Sequence, residues 1–138
     1  MAFSDKVFSK STLFTTAGAN SFVVPANVSK IWVTLVAGGG GGGGGHATGG
    51  GGAGGSAGGS IISWSVPVTP GSSLTCTVGA KGAAGAIGSN GASGLDTTIT
   101  GALISIPRAK GPAASAAGAA VNGGSSGQAG DSVGLTVA

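Results

Sequence analysis

Glycine recurs at every third position from Gly79 through Gly82, Gly85, Gly88 and Gly91 to Gly94. A three-residue glycine period matches a polyproline-II-type helix, with three residues per turn and about 3.1 Å of rise per residue, whose side-chain-free face lets a second backbone approach closely. The repeat is therefore a packing device and not a catalytic one. Two fainter copies accompany it. Gly49, Gly52, Gly55 and Gly58 keep the step inside a glycine run that begins at Gly38, and Gly124, Gly127 and Gly130 keep it near the C-terminal end, with Gly118 in phase and Val121 breaking it. Three such segments predict a bundle. Collagen runs the same period through a whole chain with abundant proline, whereas no proline lies inside any of these segments, which argues against a collagen triple helix. Gly/Ser-rich stretches also serve as flexible linkers. For 38–59 composition leaves linker and ordered tract equally open; for 79–94 the regular step and the near absence of charge favour order.

A chain of 138 residues makes one domain or a small oligomer subunit, yet Phe3, Phe8, Phe14, Phe22, Trp32 and Trp64 are its only aromatics. Each glycine fixed in regular structure costs roughly 0.5–1 kcal/mol more than alanine, and there are 32 of them. Close backbone packing, or burial against other subunits, must offset that cost. The net charge of +3 comes from Lys6, Lys10, Lys30, Lys81, Arg108 and Lys110 against Asp5, Asp96 and Asp131. Their scatter argues against a nucleic-acid patch. No apolar run reaches the ~18 residues of a membrane-spanning helix, and the N-terminal residues lack a hydrophobic signal core. The single cysteine rules out an internal disulfide; Cys76 alternates with Leu74 and Val78 and reads as a small buried hydrophobe.

Between the glycine segments lie short runs rich in β-branched residues, the pattern of strands: 30–36, 61–68, 73–78, 96–100, 102–106 and 132–137. In the second run the alternation places Ile62, Trp64, Val66 and Val68 on one face and Ser63, Ser65 and Pro67 on the other, with Pro67 at an edge or towards solvent. Pro70-Gly71 predicts a turn that joins the second and third runs as a hairpin. Residues 17–20 separate 12–16 from 22–24, and Pro25 then leads to the strand at Lys30, which predicts a second hairpin or a meander. Only 113–121 hints at a helix, and Pro112 and Gly118 argue for something short or extended. The glycine segments leave the strands near Ala37, Gly79 and Ile106 and return near Ser60, Leu95 and Asp131, so they are expected to project from one end and form the tip. The expected fold is all-β: a small antiparallel β-sandwich at 12–138 with long glycine-rich loops, preceded by an N-terminal arm at 1–11.

Groups that exchange protons, attack or hold metals are scarce, with one histidine, one cysteine, no tyrosine and no glutamate. No enzyme activity, cofactor or metal is expected. His46 interrupts the first glycine run, where it reads as a loop residue on the surface; a zinc site would need its copies to meet at a threefold axis. No phosphate-loop motif is present, and the many G-x-G-x-x-G matches follow from glycine abundance. Asn27-Val-Ser fits the glycosylation pattern, but without a secretion signal it reads as a turn before a strand.

The stretch 20–37, NSFVVPANVSKIWVTLVA, runs into eight consecutive glycines; VTPGSSLTCTVG follows at 68–79 and GDSVGLTV closes the chain at 130–137. In this order the blocks resemble the glycine-rich domains of tail-fibre and adhesin proteins of tailed bacteriophages. That resemblance implies loops stacked as polyglycine-II-type helices in a structural protein of the virion surface, made in the host cytoplasm and often trimeric. Its glycine-rich tip would face the host. Expected partners are other copies of the chain, tail or capsid proteins, and a host polysaccharide or protein, without nucleic acid or membrane insertion. Candidate receptor-facing residues, chosen by position, are His46, Thr48, Ser56, Lys81, Ile87, Ser89, Asn90, Ser125, Ser126 and Gln128. A capsid decoration or head-fibre protein anchored by 2–11 is the alternative within this class. An ice-binding protein is the alternative outside it, suggested by the triplet repeat and opposed by the aromatic-bearing strands and the lack of a continuous threonine or alanine face.

Overall fold

The computed structural model describes residues 10–101, 103 and 109–111. The strands expected at 102–106 and 132–137, the 113–121 segment and the third glycine segment lie wholly or largely outside these residues. Among the described residues there is no helix, and the protein is all-β. The strands are β1 (Gly18–Val23), β2 (Lys30–Val36), β3 (Ser60–Pro67), β4 (Ser73–Val78) and β5 (Thr98–Thr100). They form one sheet in the order β1-β4-β5 and a second from β2 and β3, with every pair antiparallel. Side chains of both sheets share a core of Val24, Val33, Val66, Val68 and Leu74, flanked by Phe22, Ile31, Trp64 and Ile99.

Both expected hairpins need correction. The Pro70-Gly71 turn forms, with the Ser72 amide donating to the Thr69 carbonyl at 3.1 Å and Gly71 at φ 75°. It does not pair the strands it joins, because β3 bonds β2 and β4 bonds β1. Val24 occupies the place beside the turn: its amide donates to Ser72 at 2.8 Å, and its carbonyl accepts from Gly71 at 3.0 Å. Of residues 17–20, expected to separate two strands, Gly18, Ala19 and Asn20 instead open β1, and the chain from β1 to β2 likewise crosses between sheets. The two crossings are bonded to each other, with the Val68 amide donating to Ser29 at 3.0 Å. The result is one long two-stranded ribbon, β1 and β2 against β4 and β3, folded over its own core.

The face assignment in β3 also changes. The register shifts by one between Val33 opposite Trp64 and Leu35 opposite Ile61. This bulge holds Ser63 at φ 51°, with its amide donating to Thr34 Oγ1 at 3.2 Å. An extra residue in one strand reverses the alternation beyond it. Ile61 is therefore buried and Ile62 exposed, while Trp64, Val66 and Val68 keep the expected inward face.

The glycine segments build four tracts: tract 1 (37–46), tract 2 (50–59), tract 3 (79–88) and tract 4 (89–95). Amides of Ala37, Gly40, Gly43 and His46 donate to carbonyls of Gly59, Ser56, Ala53 and Gly50 in tract 2, at 2.8–2.9 Å. Amides of Gly38, Gly41 and Gly44 donate to Leu95, Ala92 and Ser89 in tract 4. Carbonyls of Gly39, Gly42 and Gly45 accept from Gly82, Gly85 and Gly88 in tract 3. Tracts 3 and 4 close the set, with Ser89, Ala92 and Leu95 donating to Ala86, Ala83 and Ala80. Successive residues of tract 1 thus serve three different neighbours in rotation. The glycine hydrogens fill the remaining contacts: a Cβ on Gly38, Gly41 or Gly44 would overlap the Ala80, Ala83 or Ala86 carbonyl, and one on Gly91 or Gly94 the Gly41 or Gly38 carbonyl. Hydrogens so placed make weak Cα–H···O contacts.

Replacing Gly41 by alanine should therefore destabilise the fold by about 3 kcal/mol or more, since its Cβ would fall within the Ala83–Ala84 peptide and backbone must move. Gly39→Ala, whose Cβ would meet the Ser56 carbonyl at 3.1 Å, should lose clearly less. Thermal melts of the two variants against the parent chain check both the order and the size of the losses.

Candidate functional site

The tracts spring from the ends of the strands, so the sheets fix where they go. Val36 pairs with Ser60 in the β2–β3 ladder, and the next rung, the Ala37 amide to the Gly59 carbonyl, already belongs to tracts 1 and 2. Thr97, buried just before β5, ties the junctions together: its hydroxyl donates to the Val36 carbonyl at 2.7 Å and accepts from the Gly79 amide at 2.9 Å. Its backbone exchanges two hydrogen bonds with Ala109, and Asp96 Oδ1 accepts from the Gly111 amide at 2.7 Å. Asp96 and Thr97 are structural, and nothing in the residue pattern marked them beforehand.

Tracts 1 and 2 reverse at His46 to Gly49, where the Gly49 amide donates to the His46 carbonyl at 3.2 Å and Gly49 adopts φ 114°. Tracts 3 and 4 reverse at Ala86 to Ser89, closed by Ser89 donating to Ala86 at 2.9 Å with Gly88 at φ 73°. A side chain on Cβ disfavours such positive φ, which glycine adopts freely. The hydrogen bonds Gly88 to Gly45 and Gly44 to Ser89, both 2.8 Å, hold the two reversals side by side at the end remote from the sheets.

This end gathers His46, Thr48, Ile87, Ser89 and Asn90, all exposed. Two further candidates lie elsewhere. Ser56 is 6 % exposed, partway along tract 2, and Lys81 stands near the sheets two residues after Gly79. Ser125, Ser126 and Gln128 fall outside the described residues. Ala47, Gly49 and Gly88 complete the reversals without having been anticipated. Gly88 lies in phase with the triplet repeat, which hid its turn; the bulky Ile87 before it was the available signal.

The imidazole of His46 is held from one side. Its Nδ1 accepts from the Thr48 amide at 3.3 Å and lies 2.9 Å from Thr48 Oγ1. Accepting from an amide requires a bare Nδ1, which puts the proton of the neutral ring on Nε2, the nitrogen left to meet a ligand. No group of three or more metal-ligating side chains occurs among the described residues, and no helix there is long and apolar enough to cross a membrane. Cys76 is half-buried, and loss of solvation pushes its thiol pKa up, away from the reactive thiolate.

A family model described as a glycine-rich domain matches residues 15–137, and the chain belongs to that glycine-rich domain family. No curated protein and no solved structure matches it.

The hydrogen bonds at His46 predict the Nε2–H tautomer for its neutral ring. Long-range proton–nitrogen correlation spectra check this: Nδ1 should resonate as an unprotonated nitrogen, and Thr48→Val, which keeps only the amide donor, should weaken the preference.

Proposed function

We propose that the tracts are polyglycine-II-type helices and that the chain is a non-enzymatic structural protein of a bacteriophage particle, a fibre or adhesin module that presents its tract reversals to the host. The helix reading is supported by the ladders, which advance by three residues along every tract, as three residues per turn require. The functional reading draws on the resemblance of 20–37, 68–79 and 130–137 to phage fibre domains. The observation that carries it is the pairing of both reversals at one end, remote from the sheets. Ten residues of tract 1 at ~3.1 Å each would hold that end about 30 Å from the last β2 rung.

A stalk whose tracts carry Lys81 as their one charged side chain suits contact at a particle surface, because its tracts are tied together by backbone ladders and few side chains offer a protease a grip. Trimers of the chain would multiply a weak contact, since linked sites convert later binding events into intramolecular ones. The arm at 1–11 would join the subunit to a tail or capsid protein. The host ligand is a surface polysaccharide or protein.

Purified chain, incubated with susceptible bacteria beforehand, should lower the adsorption rate of the particle that carries it by tenfold or more. Binding to emptied capsids with no effect on adsorption would contradict the attachment role and make the chain a capsid decoration.

A further inference from the structure

We draw no further inference here: the strongest candidate, the groove beside tracts 2 and 4 that the chain enters where the Lys110 carbonyl accepts from the Gly59 amide and Gly111 lies against the Gly94 carbonyl, carries nothing because its occupant would be residues past Gly111, which lie outside the described residues.

Discussion

Everything distal to the sheets depends on one geometric rule: successive peptide groups of tract 1 bond in three different directions. Ala37, Gly40, Gly43 and His46 serve tract 2; Gly38, Gly41 and Gly44 serve tract 4; the carbonyls of Gly39, Gly42 and Gly45 serve tract 3. A tract surrounded in this way cannot carry side chains at its closest approaches, where a Cβ on Gly41 or Gly44 would sit within a neighbouring peptide. Backbone hydrogen bonds and Cα–H···O contacts there replace the interdigitated side chains of an ordinary core. The glycines that would weaken a helix or a strand become the condition for packing.

The sheets set the register of this bundle. The β2–β3 ladder passes directly into tracts 1 and 2, and the Thr97 hydroxyl bridges Val36 to Gly79, joining the starts of tracts 1 and 3. An unpaired buried amide or carbonyl costs about 1–3 kcal/mol, which makes this one hydroxyl a strong constraint on how tracts and strands meet. The small side-chain core centred on Val66, Val68 and Leu74 then acts as a clamp on the folded ribbon. Stability at the base is hydrophobic; along the tracts it is a sum of backbone bonds. The His46 and Ile87 reversals gain their positions from the second and their anchorage from the first.

Local signals carried much of this. The limits of β2 and β4 followed from their alternating β-branched residues, and the tract boundaries near Ala37, Ser60 and Gly79 from the change in composition. The close-packing role of Gly79, Gly82, Gly85, Gly91 and Gly94 was legible because only glycine fits at a three-residue contact row. Pairing was not legible. The Pro70-Gly71 turn forms as its residues dictate, but Val24, some 46 positions earlier, takes the partner place beside it. The bulge at Ser63 reversed Ile61 and Ile62, and no composition rule locates a single extra residue in a strand. At the candidate site, His46, Thr48, Ile87, Ser89 and Asn90 were found by position, whereas Ser56 is buried because the phase of its tract turns it inward.

The rotation of hydrogen bonds about tract 1 is directly observable by NMR through nitrogen–carbonyl scalar couplings across hydrogen bonds in isotopically labelled protein. Couplings should join the Gly40 amide to the Ser56 carbonyl, the Gly41 amide to the Ala92 carbonyl and the Gly82 amide to the Gly39 carbonyl, three partners for three consecutive residues. Sharp, rapidly exchanging amide signals from residues 38–45 with no such couplings would contradict the account.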